Sequence, residues 1–448
     1  MYVFCYTDWV YILPVSWGSV LKHIIVAHSF LFSLFLFGCG ISNYDRGQDF
    51  LAQGELKAAA DYFTAAADEN VGQDEAHREL GITYYRGRFF PQAVTHLQIA
   101  SQTLQDERTA LYLGMALENG QQYDQAIAAY ERFVDLNDSP EIVYQTQARL
   151  VRLRNQHLTQ LAENAVQNEA QINLTTIPTN SVAVFYFELL SGRDGLRPLQ
   201  KALTDLIISD LNKVSALQVI PRLDLQRQLD QMQLQQDSVF NQASQERIGR
   251  LLGASKVCTG TIEGLAELDL RLNANVIDSR KVGQIEPASV QQGPEADFFE
   301  LQKEMVSDIL DALGVEATSR EKRAIKRQST RSLPAVIAYG RGLDASDKYD
   351  LELAEQHLQL SLKEDPAFQP ALDQLNYVRL MAVATNQSLD EIDKLVTDGT
   401  KFEKARQRRL NRMNRFLSRQ FAPPAAADAP REGDIDPPQN EIQIVITN

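Results

Sequence analysis

The strongest constraint on this chain is a period. Gly47, Phe50, Leu56, Ala59, Phe63 and Ala66 recur as Gly81, Tyr84, Phe90, Ala93, Leu97 and Ala100, then as Gly114, Leu117, Tyr123, Ala126, Tyr130 and Phe133. The offsets are 34 and 33 residues. Each unit reads as two amphipathic helices joined by a short turn, as at Gly54-Glu55-Leu56 and Gln121-Gln122-Tyr123. A single hairpin of this kind cannot bury its own apolar face, so neighbours must stack. The small residues let backbones approach and the large ones fill the space to the next pair. Residues 140 to 170 continue as polar helix, including QTQARLVRLRNQHLTQLAENA, and are expected to cap the open end.

This pattern resembles the tetratricopeptide repeat. The resemblance implies a superhelix whose concave face binds peptides or partner proteins. A degenerate fourth unit is expected much later, where Ala354, Leu358, Ser361 and Pro366 match the second half of a repeat. Its first half, around LPAVIAYGRGLDASDKYD, reads as carrying extra residues.

Between these regions the periodicity changes. QINLTTIPTNS, residues 171 to 181, breaks the helical pattern with Pro178 and turn formers. VAVFYF then reads as a compact strand, followed by the loop SGRDGLRP and a helix carrying Leu199, Leu203, Ile207, Ile208 and Leu211. ALQVIPR, KVCTGTI and the alternating LDLRLNANVID are further strands, SRKVG turns toward another, and EADFFELQKEMVSDILDALGV closes as a helix. Strands alternating with helices, plus one hairpin, predict an α/β sandwich. The order and wording over about residues 180 to 315 resemble the amino-terminal domain of the translocation protein TolB and its relatives. These relatives include the curli secretion lipoprotein CsgG and the lipoproteins that activate penicillin-binding proteins. The resemblance implies an envelope protein that recognises or assembles other proteins. A curli-type pore would need long amphipathic hairpins, and the hairpin at residues 268 to 290 carries Asn273, Asn275, Asp278, Arg280 and Lys281 on or near it.

Residues 1 to 38 differ from all that follows: Asp8 and Lys22 are their only formal charges and both tryptophans, Trp9 and Trp17, lie here. The apolar run from Ile24 to Phe37 is short for a membrane span and has the length of a secretory signal core. Leu36-Phe37-Gly38-Cys39 resembles a bacterial lipobox, with Phe37 where the family carries a small residue. The resemblance implies acylation of Cys39 and attachment to the membrane. An uncleaved anchor with Cys39 as a bystander is the alternative. Residues 1 to 19 are surplus to a signal peptide and suggest a start codon placed too far upstream.

The chain shows no pattern for catalysis, a cofactor or a metal. After Cys39 four histidines remain, His77, His96, His157 and His357, with no spacing suited to a shared metal. His77 and His96 read as packed or solvated helix residues, and Cys258, mid-strand among apolar neighbours, as a buried thiol. Arg193 and Asp194 read as a polar loop. A formal net charge of −15 argues against nucleic acid as a partner. Against that acidic background stand SREKRAIKRQSTR, read as a linker helix, and residues 401 to 419, which carry eight basic residues and one acid, Glu403. APPAAADAPREGDIDPPQ reads as an extended linker and EIQIVITN as a terminal strand suited to pairing with a sheet edge.

The expected organisation is therefore α+β and multidomain. Residues 1–38 are a signal peptide, 39–170 the anchor and repeat solenoid, 180–315 the α/β domain, 332–420 a helical region with the degenerate repeat, and 421–448 linker and strand. The expected protein is not an enzyme. It is a scaffold anchored through Cys39 to the outer membrane, facing the periplasm, that binds envelope proteins or peptides through the repeat groove and the C-terminal strand. A secretion-channel component and a lipoprotein regulator of a peptidoglycan synthase are the alternatives.

Overall fold

Helices form where the period places them. The computed structural model describes residues 41–386 except 70–71, 191–192, 234–239, 266–267 and 282, together with residues 388 and 394. Cys39 and the preceding segment, the basic stretch 401–419 and the terminal strand lie outside the described residues. Three hairpins stack in order: α1 (Asn43–Gln53) with α2 (Leu56–Ala67), α3 (Gln73–Arg86) with α4 (Phe90–Ser101), and α5 (Glu107–Asn119) with α6 (Tyr123–Leu136). Local chemistry sets their ends. The Ser42 hydroxyl accepts from the Asp45 N–H at 3.0 Å, and the Asp106 carboxylate accepts from the Thr109 N–H at 3.0 Å, each satisfying an orphan donor at a helix start.

The glycine of each repeat faces the large residue sixteen positions later. A Cβ on Gly47, Gly81 or Gly114 would lie 2.6 Å from Phe63, 2.5 Å from Leu97 or 3.0 Å from Tyr130. These positions need hydrogen in place of a side chain because the paired helix is already there. Seven residues after the same glycines the backbone turns left-handed, at Gly54 (φ 81°), Arg88 (φ 62°) and Gln121 (φ 57°).

The next helix, α7 (Pro140–Gln167), is 28 residues long and leads into the sheet domain. Its elements are β1 (Ser181–Val184), β2 (Glu188–Leu189), α8 (Leu199–Leu211), β3 (Gln218–Val219), α9 (Arg222–Gln231), α10 (Gln242–Leu251), β4 (Lys256–Gly264), β5 (Asp269–Asp278), β6 (Ile285–Pro294) and α11 (Phe298–Ala312). The sheet order is β3-β1-β4-β5-β6, with β2 also pairing β4. β1 runs parallel to β3 and β4, while β4, β5 and β6 form an antiparallel meander with a bulge at Ala274/Asn275. Alternation sorts β1 between two cores. Val182 and Val184 join the cluster with Leu203, Ile207, Met305 and Ile309 of α8 and α11, while Ala183 and Phe185 join that with Leu225, Leu229 and Ile248 of α9 and α10. Helices on both faces make the mixed sheet the middle of a sandwich, as the strand and helix order predicts.

Beyond the sheet come α12 (Ser319–Lys326), α13 (Leu333–Asp347), α14 (Leu351–Glu364) and α15 (Gln369–Asn386). The basic stretch read as a linker helix is α12, opened by a capping box between Thr318 and Glu321. It is docked on the sheet domain, since Ile325 is buried and Glu321 also accepts from the Ser215 N–H at 2.9 Å. α13 and α14 are the fourth repeat hairpin. Its first half carries no extra residues: Gly342 faces Leu358 at the sixteen-residue spacing, and Tyr349 (φ 59°) is the left-handed residue seven positions on. The end of the solenoid is not left for α7 to cap, because α15 packs along α7 from more than 200 residues away in sequence and α9 also packs against it. Among the described residues, no helix is long and apolar enough to cross a membrane.

Candidate functional site

The first helices of the repeats are tied to one another by buried charge. Glu79 of α3 is fully buried and accepts from Arg78 Nε at 3.0 Å and from Arg108 of α5 at 2.8 Å. One repeat later Glu118 of α5 accepts from Arg149 of α7 and from the Tyr130 hydroxyl at 2.9 Å. Burial opposes the charge of Arg78, but the flanking carboxylates of Glu79 and Asp106 hold its pKa above the ordinary value. Burial, with the Glu118 carboxylate beside it, pushes the Tyr130 hydroxyl well up, so it stays a donor. Such a ladder fixes the rise from one hairpin to the next, because a carboxylate stripped of its guanidinium here would be an uncompensated buried charge.

At the lower end of the ladder Asn155 on α7 joins three parts of the molecule. Its side-chain oxygen accepts from Arg227 of α9 at 2.9 Å and from the Tyr377 hydroxyl of α15 at 3.0 Å. Arg227 in turn lies over the Tyr349 ring, 5.1 Å from its centroid. A cleft of about 600 Å³ opens beside this junction, lined by Arg152, Thr159 and Glu163 of α7, Tyr123 of α6, and Met381 and Thr385 of α15. Walls that mix apolar surface with polar side chains suit a peptide segment. Nearby, Asp224 of α9 has its pKa pushed up to about 6 by burial.

The residues weighed from sequence fall as follows. His77 and His96, nineteen positions apart, meet with their Nδ1 atoms 3.0 Å apart and their rings stacked, and Tyr84 stacks on His96 from its other neighbour. Burial and the His77 ring hold His96 below the ordinary imidazole range. Among the described residues, no group of three or more His, Cys, Asp or Glu could hold a metal. His157 Nε2 pairs with Asp124 at 2.8 Å. Cys258 is fully buried, and burial pushes its thiol up to about 12, so it is an inert core residue. Asp194 is an exposed partner of Arg197 at 3.3 Å, and Arg193 pairs with Glu295. The ladder acids and Asn155 carry no sequence signal, since their partners stand 29, 31 and 222 residues away.

The fold and the ladder define a class: stacked helical hairpins of tetratricopeptide type built onto a mixed α/β domain. No family model matches the chain. A curated protein, putative adenylate cyclase 3 of Rhizobium meliloti (strain 1021), is 30% identical over 146 residues, which is 32% of this chain and 22% of that protein. The chain thus spans about a fifth of the length of this relative. Two solved structures are similar at a TM-score of 0.23 and 13% identity each. One is a tetratricopeptide repeat protein from Parabacteroides merdae ATCC 43184, covering 75% of this chain and 97% of that one. The other is yeast Tom70, covering 81% and 73%. At that score the repeat assignment rests on the contact register described above. The cyclase match corrects one expectation: a chain 30% identical over 146 residues to a protein described as a putative enzyme is not classed as a non-enzyme on its motifs alone. Motif reading sees only residues adjacent in sequence, and a site assembled by tertiary contact escapes it.

Proposed function

We propose that the chain is a protein-binding scaffold whose stacked repeats present a stiff surface to a partner. The observation that carries this reading is the single glycine-to-large spacing shared by all four hairpins, which supports stacked hairpins of the kind used for recognition. Attachment through an acylated Cys39, an outer-membrane location facing the periplasm, and a role in envelope assembly or secretion belong to the same proposal. The lipobox-like sequence and the resemblance of the middle domain support them. Crosslinking in intact cells followed by affinity purification is the test, and recovery of envelope proteins is the expected result. Recovery of none would sink the envelope reading. Cys39→Ser should release the protein from the membrane fraction, and unchanged fractionation would remove the anchor. Ring-shaped oligomers conducting in bilayers would favour a secretion channel, and stimulation of a purified peptidoglycan synthase would favour its regulation.

The 146-residue match supports a second reading, a signalling role built on a module shared with a nucleotide cyclase. Cyclic AMP formation from ATP by the purified full chain with magnesium or manganese would support it, and none at high protein concentration would remove it.

A further inference from the structure

Positive charge is paired throughout the sheet domain and left unpaired on the helix that follows it. Every Lys and Arg between Ser181 and Ala312 bonds a carboxylate or, for Arg250, the Ser279 carbonyl. On α12 and at its end, Arg320, Lys322, Arg323, Lys326 and Arg327 are all exposed. None of these five side chains has an ion-pair or hydrogen-bond partner among the described residues. Arg331, also exposed, bonds only the neutral Gln328, at 3.2 Å. The one acid from Ser319 to Arg331 is Glu321, and it is taken up by the N–H groups of Thr318 and Ser215 at 2.7 and 2.9 Å.

The helix is docked in one orientation, which decides where those charges face. Ile325 is buried and Glu321 reaches Ser215 on the sheet domain, so both mark the inner side. Arg320, Arg323 and Arg327, spaced i, i+3 and i+7, fall on the side opposite Ile325, with Lys322 and Lys326 flanking them. Single unpaired cations such as Lys57 and Lys363 are ordinary solvated surface. The dipole of α12 accounts for Arg323 and Lys326 in its last turn, but not for Arg320, Lys322, Arg327 or Arg331. What is left is a concentrated positive face on a chain whose formal net charge is −15.

We propose that this face of α12 seats the molecule on an anionic bilayer, its arginines and lysines taking the phosphates of lipid headgroups. Charge complementarity and the lack of an apolar centre select that partner. A protein interface is built round buried aromatic or aliphatic anchors, and no large apolar side chain between Val290 and Tyr349 is exposed. A headgroup layer is read by charge density alone and needs no such anchor. Screening beyond about 8 Å confines the attraction to groups at the contact, so the patch acts although the chain as a whole is acidic. This seat deepens the membrane attachment proposed above and rests on that reading. An acyl chain holds a protein at the bilayer, while a basic face sets which side of it meets the headgroups.

Co-sedimentation of the full chain carrying Cys39→Ser, so that no acyl chain contributes, with vesicles of phosphatidylglycerol and phosphatidylcholine tests it. The protein should bind these vesicles, should not bind phosphatidylcholine alone, and should be released by salt. Arg320→Gln, Arg323→Gln and Arg327→Gln together should weaken binding about tenfold or more, with an unchanged melting temperature because these side chains bond nothing in the fold. The same change at Arg406, Arg409 and Arg412 controls for the other basic stretch. Loss of binding there, with wild-type binding in the α12 variant, would overturn the assignment. So would equal binding to neutral vesicles, or none to anionic ones. Binding to poly-glutamate as strong as to vesicles of equal charge would give the face to an acidic protein and overturn the bilayer. Each of these outcomes is separate from the cell fractionation that tests acylation of Cys39.

Discussion

The first three hairpins and the fourth obey one local rule and have opposite tertiary fates. In all four a glycine meets a large residue sixteen positions on, and a left-handed residue falls seven positions on. The first three then stack only on neighbours, with their own core of residues such as Leu97, Met115, Tyr130 and Phe133. The fourth does not stack on them in series. Tyr339, Leu343, Leu358 and Phe368 belong to one continuous core with Val184, Leu203 and Met305 of the sheet domain. A repeat hairpin is therefore a unit of local geometry, and its role depends on which surface its outer face meets. The first three should open in segments, as nearest-neighbour stacks do, and the fourth only together with the sheet.

The largest test of that difference removes one buried carboxylate from each side. Asp347→Ala leaves buried Arg222 with only the more distant Asp205 carboxylate, at 3.7 Å, and Lys201 with Asp344, and should cost about 3 kcal/mol. Glu118→Ala removes the buried carboxylate to which Arg149 and the Tyr130 hydroxyl both donate. Native-state hydrogen exchange should show protection falling across the sheet and α13–α15 together in the first variant, and within α5–α7 in the second. Loss spread evenly over the chain in both would break the comparison.

A smaller effect separates the glycines. Gly340→Ala drives a methyl against the Pro198 carbonyl, a backbone atom that cannot step aside, and should cost about 2–3 kcal/mol. The nearest atom to a methyl at Gly81 is Leu97 Cγ, a side-chain carbon that can partly give way, and the nearest backbone atom is the Leu97 nitrogen at 3.2 Å, so Gly81→Ala should cost less. Urea midpoints followed separately for the two parts would reverse that ranking if the seam were loose.

The junction itself has a pH signature. Asp224 has a carboxyl pKa raised from 3.8 to about 6, so the protonated form is favoured in the folded state. Its contribution to stability is complete below about pH 4 and is lost as pH rises through 6. Asp224→Asn should therefore stabilise by about 1 kcal/mol at pH 8, and not at pH 4, in melts across that range. A gain independent of pH would assign the effect to something other than its charge. Smallest of all, Gln121→Gly relieves a left-handed residue that Gly54 already accommodates in the first repeat, and should stabilise the third hairpin by up to about 1 kcal/mol.

Much of this was legible in the sequence. The three hairpins, the strand order through VAVFYF, KVCTGTI and LDLRLNANVID, and the burial of Cys258 all follow from periodicity and side-chain size, which act over a few residues. The fourth hairpin was half legible: Gly342 was available as a match sixteen residues before Leu358, but the neighbouring Gly340 offers a competing register. The meeting of His77 with His96 was hidden because neither residue is part of the period that positions them.

What the sequence determined alone is the first three hairpins and the longer strands, because turns, glycine contacts and apolar alternation are short-range demands that few other conformations satisfy. What only the tertiary structure decided is the junction. Asn155 beneath Arg227 and Tyr377, and Lys201 and Arg222 on Asp347, join residues more than 70 positions apart. Such contacts exist only once separately stable pieces have folded and found complementary faces, and no local pattern encodes which faces those are.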